Sequence, residues 1–179
     1  MLSSGVGAQP KSGWRRWNPY EVNFTNGRKA TFPMKISRDF KEFIEFANSN
    51  SVRFLIVGGY AVAFHGHPRY TKDLDVWIER SPQNARRLLA ALSEFGFDGV
   101  GLVEDDFLEP EQIIQLGNPP LRIDILTDIS GVDFDACYTN RQIVDLDGVE
   151  MPFISLADLR ANKVASGRHQ DLADLENLK

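Results

Sequence analysis

Asp73 and Asp75, two residues apart in an apolar run, are the side chains of this sequence best suited to hold a cation together. On a strand, side chains at i and i+2 leave the same face, roughly 7 Å apart at the backbone. Both carboxylates can therefore converge on one hard ion. Leu74 and Val76 then face the core, and Trp77 stands beyond the acids on their own face. Magnesium suits such a site, because it takes one or two carboxylates together with phosphate oxygens and water. The competing reading is an edge strand whose acidic face is simply solvated. The residues upstream shift the balance: Gly58-Gly59 closes the apolar run from Phe54 to Val57, and Arg69, Thr71 and Lys72 lead into the acids. Without Cβ atoms, the glycines let backbone N–H groups approach a phosphate at the start of a helix. Arg69 and Thr71 add donors for phosphate oxygens, while Lys72 by itself reads as an exposed loop residue. The combined chemistry is attack on a nucleoside triphosphate.

Asp124 is the third acid. It interrupts the otherwise apolar strand Leu121 to Leu126, where a carboxylate needs a partner or a metal. If that strand neighbours the one bearing Asp73 and Asp75, the three acids form one cluster. Asp124 would then be a metal ligand or accept the proton of an attacking hydroxyl. Its alternative is a salt bridge with Arg122 or Arg141. Farther on, Lys163 and Arg168 could reach a polyanionic substrate, with Asp171 and Asp174 orienting them. The same residues also fit ordinary i,i+3 and i,i+4 charges on surface helices. His65 and His67 have no zinc-ligand company, and Cys137 carries no nucleophile signature.

Positioning these groups requires alternating helices and strands. Ser37 caps a helix with Phe40, Phe43, Ile44 and Ala47 at helical spacing. Strands are expected over Arg53 to Val57 and Asp73 to Glu79, with one or two helical turns from Tyr60 to Phe64. Ser81-Pro82 opens a further helix with the stripe Ala85, Leu88, Leu89 and Leu92, stopping at Gly96. Gln112 to Leu116 and Leu121 to Leu126 read as strands about a turn at Gly117 to Pro120. Asp147-Gly148 joins strands Gln142 to Leu146 and Val149 to Ile154 as a hairpin. Ser155 caps a helix containing Leu156, Leu159 and Val164; Gly167 breaks it, and a last helix starts near Arg168. Crossovers and a hairpin together predict an α/β (α+β) fold with parallel and antiparallel pairings.

A chain of 179 residues, 42% hydrophobic and 25% charged, is sized for one compact domain. Its formal charge of -5 argues against non-specific coating of nucleic acid, though not against an RNA held by a local patch. No apolar run approaches the roughly 20 residues that span a bilayer, and no secretory signal is visible. With a single cysteine excluding an internal disulfide, a cytoplasmic protein without membrane contact is expected. Residues 1–33 read as a flexible extension rich in Gly, Ser, Asn and Pro, with no helical or strand period. Met34 then opens a single domain, 34–179. The aromatic-basic cluster Trp14-Arg15-Arg16-Trp17 allows a second view of the extension, as an arm that stacks on RNA.

Gly58-Gly59, a gap of 13 residues, Asp73-Leu74-Asp75 and the downstream Asp124 together resemble the signature of the DNA polymerase β-like nucleotidyltransferase superfamily. The Arg69-x-Thr71-x-Asp73-x-Asp75 form and the stretch from Lys163 to Asp171 look more specifically like abortive-infection and toxin–antitoxin nucleotidyltransferases. The resemblance covers Ile36 to Leu178. It implies a mixed twisted sheet with flanking helices and transfer of a nucleoside monophosphate from a nucleoside triphosphate, with pyrophosphate leaving. It further implies Mg2+ held by Asp73 and Asp75, with Asp124 at a second metal position. Gly58, Gly59, Arg69 and Thr71 would cradle phosphates, and Lys163 and Arg168 would stabilise negative charge. Many superfamily members carry Gly-Ser where this chain has Gly58-Gly59, and nothing here forms a separate acceptor-binding domain. The acceptor could be a tRNA end, a protein hydroxyl or a small molecule, and an antitoxin partner is in keeping with the toxin branch. The alternative is a nucleotide-binding or partner-binding module that keeps the scaffold without catalysis.

Overall fold

Three serines set the main helices, each through its side-chain oxygen. Ser37 Oγ accepts the Phe40 N–H and starts α1 (Arg38–Ser49), which buries Phe40, Phe43, Ile44 and Ala47. Ser81 Oγ accepts the Asn84 N–H ahead of α3 (Pro82–Glu94), with proline at the position where a missing N–H costs nothing. Ser155 Oγ accepts the Asp158 N–H to start α5 (Leu156–Ser166), and Gly167 closes it in the left-handed region at φ +62°. The short helix α2 (Gly58–Phe64) and the last helix α6 (His169–Asn177) lack a side-chain cap.

The computed structural model describes residues 21–24, 29–31, 36–118 and 121–178. The Trp14 to Trp17 cluster and Met34 lie outside them. Among the described residues, the strands are β1 (Glu21–Phe24), β2 (Lys29–Thr31), β3 (Phe54–Ile56) and β4 (Asp73–Ile78), then β5 (Ile113–Asn118), β6 (Leu121–Leu126), β7 (Gln142–Leu146) and β8 (Val149–Phe153). They form one mixed sheet in the order β2-β1-β7-β8-β3-β4-β6-β5. β3 runs parallel to β8 and antiparallel to β4, while β4 runs parallel to β6. β4 is therefore interior to the sheet, which removes the edge-strand reading of Asp73 and Asp75. The β7–β8 hairpin turns at Asp147-Gly148, both at positive φ, as a two-residue hairpin requires.

Three elements, β1, β2 and α4, depart from the sequence reading. No strand was expected before Met34, yet β1 pairs with β2 and with β7. Such pairing uses main-chain groups and needs no side-chain period to announce it. The helix α4 (Phe134–Asn140), capped by Asp133, was also unforeseen, since seven residues are too few to display a period. Phe134 meets Trp77 edge-on at 5.0 Å between ring centroids, so α4 covers the acid-bearing face of β4 beyond the acids. In α3, Leu89 is only partly buried and Ala91 takes its place in the core. The buried Asn84 amide ties α3 to the sheet by bonding the Arg53 N–H and the Arg53 and Glu79 carbonyls. No helix among the described residues is long and apolar enough to cross a membrane.

Candidate active site

The parallel register of β4 and β6 sets Asp73 opposite Arg122 and Asp75 opposite Asp124. Side chains of one face on adjacent strands stand near one another, so the three acids share one wall of a cleft of about 940 Å3. Asp75 is perturbed by this setting. Burial pushes its carboxyl up to about 6; the neighbouring charges of Asp124 and Asp73 act in the same direction, while the Gly59 N–H and Arg168 oppose. A carboxylate so placed is short of positive charge, and an all-oxygen donor set on adjacent strands fits a hard divalent cation. As they stand, no three Asp, Glu, His or Cys side chains among the described residues are gathered to hold one. Arg122 lies among the acids instead. Its Nε donates to Asp124 Oδ1 at 2.7 Å, and its Nη2 donates to Asp124 Oδ2 at 3.0 Å and to Asp73 Oδ2 at 2.8 Å.

The glycine pair is a steric necessity of this wall. Gly58 has φ +58°, and a Cβ there would stand 1.9 Å from Asp75 Oδ2. A Cβ on Gly59 would stand 2.6 Å from Thr71 Oγ1 and 2.7 Å from its Cβ. The two glycines thus seat Asp75 and Thr71 against the start of α2. Gly58→Ala is expected to lower stability by about 2 kcal/mol or more, from left-handed strain and overpacking. A drop in urea midpoint checks it, and an unchanged midpoint would show that Asp75 moves aside without cost.

Lys163, Arg69 and Arg168 border the same cleft but differ in freedom. The Lys163 ammonium is buried, its side chain 3% exposed, and donates at 2.7 Å to Asp171 Oδ1 and to Asp174 Oδ2. Arg69 bonds the fully buried Asp174 through Nε at 2.9 Å, which pins the loop ahead of β4 to α6. Burial alone would raise both carboxyls. For Asp171 the hydrogen bonds from Lys163, Arg168 and Ser166 outweigh it, and for Asp174 those from Lys163, Gln170 and Arg69, so both lie below the ordinary carboxylate value. These are interior ion pairs where solvated helix charges were the alternative. Arg168 differs: its side chain is 76% exposed while its Nε holds Asp171 Oδ2 at 2.6 Å, so it can still reach into the cleft. Lys72 is exposed.

The structure thus gathers Gly58, Gly59, Thr71, Asp73, Asp75 and Asp124 along the cleft, and Arg69, Lys163 and Arg168 line the same cleft in a second network built on Asp171 and Asp174. Sequence reasoning gave Arg122 no more than a salt-bridge option, although Arg122 and Asp124 at i and i+2 on one strand were already a signal for a shared face. The far end of the cleft, lined by Ile113, Leu126, Ile129, Ser130 and Asn162, was not foreseen at all. The Asn162 amide is held there by the Ser130 carbonyl at 2.9 Å. His65 has a structural place: it is half-buried, burial lowers its pKa, and its Nε2 lies 2.8 Å from the Ile154 carbonyl. Cys137 is buried, with its thiol pushed up to about 12 mainly by burial.

Comparison with known proteins bears on this geometry. A family model described as nucleotidyltransferase of unknown function (DUF6036) matches residues 34–179. Among solved structures, a candidate nucleotidyltransferase from Thermotoga maritima is similar at 19% identity and a TM-score of 0.53, over 78% of this chain and 89% of that one. An antigenic nucleotidyltransferase-like protein from Paracoccidioides brasiliensis is similar at 18% identity and a TM-score of 0.48, over 80% and 77%. No curated protein matches the chain.

Proposed function

The chain belongs to the DUF6036 nucleotidyltransferase family, and from that membership we propose that it transfers a nucleoside monophosphate from a nucleoside triphosphate to an acceptor hydroxyl. One observation carries the reading: Asp73, Asp75 and Asp124 share a cleft wall on two parallel strands in register. In the proposed reaction the acceptor oxygen attacks the α-phosphorus, the bond to the bridging oxygen breaks, and pyrophosphate leaves. The hydroxyl proton passes to a carboxylate, for which Asp124 is the candidate. Mg2+ held by Asp73 and Asp75, with Asp124 at a second position, would neutralise the triphosphate and align it for in-line attack. Thr71, packed against Gly59, and the exposed Arg168 in the same cleft would meet the phosphates. Arg69 and Lys163 act one step back, through Asp174 and Asp171, by holding that second network together.

The acceptor is an RNA end, a protein or a small molecule. The finer reading, a toxin neutralised by an antitoxin partner, rests on the Arg69-x-Thr71-x-Asp73-x-Asp75 form and the Lys163 to Asp171 stretch. A second reading, a nucleotide-binding module that does not catalyse, is favoured by the grip of Arg122 on both oxygens of Asp124. Incubation with Mg2+, each labelled nucleoside triphosphate, and cellular RNA and protein separates them. Label transferred by wild type and not by Asp73→Ala/Asp75→Ala supports the enzyme and names nucleotide and acceptor class. Magnesium-dependent binding with no transfer supports the module.

A further inference from the structure

Among the described residues, Arg122 is the cleft side chain that bonds two of the three acids, and the proposed reaction gives it no task. It rises from β6 beside Asp124, 26% exposed, and its bonds occupy both oxygens of Asp124 and one of Asp73. Bidentate guanidinium–carboxylate pairs are among the stronger hydrogen-bonded contacts in proteins. Asp75 lies outside this grip, packed against the Gly58 backbone. Arg122 thus supplies the positive charge that carboxylates on adjacent strands need in order to stand in register. A divalent cation meets the same need through the same oxygens.

We propose that Arg122 is a built-in counter-ion which a divalent cation displaces from Asp124 and Asp73. Before the cation arrives, Arg122 holds Asp124 and Asp73 in place and occupies the oxygens that a metal would take. Once displaced, its guanidinium stays in the cleft as a planar donor pair suited to phosphate oxygens. Loading of the cation and binding of the triphosphate are then coupled through one side chain: each makes the release of Arg122 from the acids more favourable for the other. The inference rests on the cation-assisted reading given above, and the following measurement tells the failure of one from the failure of the other.

Mn2+ binding is titrated without nucleotide in wild type, Arg122→Met, Arg122→Lys and Asp73→Asn/Asp75→Asn, with melting temperature recorded at each Mn2+ concentration. Losing a charge-assisted competitor should tighten Mn2+ binding by about tenfold or more in Arg122→Met, with Arg122→Lys in between. Mn2+ should also raise the melting temperature of Arg122→Met more than that of wild type, since three facing carboxylates have lost their counter-ion. Unaltered Mn2+ binding in the double asparagine variant would remove the cation site itself, and the inference with it. Loss of binding there, with Arg122→Met no tighter than wild type, would overturn this inference alone and leave Arg122 as a positioning residue. If Arg122→Met folds only when Mn2+ is supplied, the exchange is supported. If it does not fold even then, Arg122→Lys decides by the same criterion.

Discussion

Replacing Asp75 by asparagine is expected to abolish nucleotidyl transfer and to raise the melting temperature of the same protein. Loss of activity of about 1,000-fold or more follows if Asp75 holds the cation that neutralises the triphosphate, because asparagine keeps the shape and removes the charge. The gain in stability has a separate origin. Folding takes Asp75 out of water and sets it beside Asp124 and Asp73, raising its pKa from 3.8 to about 6. A raised pKa means that the folded state holds the proton more tightly than the unfolded chain. The associated stability is complete below about pH 4 and is lost as pH climbs through about 6. Near neutral pH the wild type carries that strain in full and the asparagine variant does not. A rise of about 2–4 °C is expected at pH 7.5 without divalent cation. The wild-type fall in stability between about pH 4 and pH 6 should be much reduced in the variant. Thermal melts across that range check the sign, and a variant less stable than wild type at pH 7.5 would mean that Asp75 is held by contacts outweighing its burial.

Lys163→Met should be the most damaging single change to stability in the C-terminal helices. The ammonium is buried between Asp171 and Asp174, and removing it leaves two buried carboxylates short of their central counter-charge. Breaking a buried pair from one side costs about 3–5 kcal/mol, which for a chain of this size is a fall of about 10 °C. Adding Asp171→Asn should recover part of the loss. Acid attacks the same network: both carboxyls lie below their ordinary value, so their contribution is present above about pH 4 and is lost as pH falls. The alternative, in which Lys163 contacts phosphate directly, predicts a different outcome: nucleotide affinity falls while the melting temperature stays. Scanning fluorimetry with nucleotide titration below the melt separates the two.

The residues behind both predictions differ in how far the sequence discloses them. Ser37, Ser81 and Ser155 announced their helices because a cap is a local bond between neighbours. Asp147-Gly148 announced its hairpin because that turn demands positive φ at both positions. Asp73 and Asp75 were legible as a pair because strand alternation puts them on one face. Asp124 was legible as an acid in an apolar strand, and the parallel register that sets it opposite Asp75 followed the expected neighbour. What stayed hidden is tertiary. Arg122 reaches Asp73 across 49 residues, and no spacing rule reports such a contact. The stretch Lys163, Asp171, Asp174 had the spacing of a surface charge pattern; docking of α5 on α6 sealed it from water. The short α4 and the β1–β2 pair carry too few residues for a period to rise above composition.

The bond between Arg69 and Asp174 spans 105 residues of chain, and it sets an order of events during synthesis. Arg69 and the first two acids leave the ribosome well ahead of α6, the helix whose Asp174 anchors their loop and pairs with Lys163. At about 5–20 residues per second, the ribosome needs about 5–20 s to cover that interval. Throughout it, a nascent chain already bears Asp73 and Asp75 but not yet the network built on Asp171 and Asp174. The Arg69–Asp174 clasp therefore cannot form before α6 has been made, and until then the loop ahead of β4 lacks that anchor.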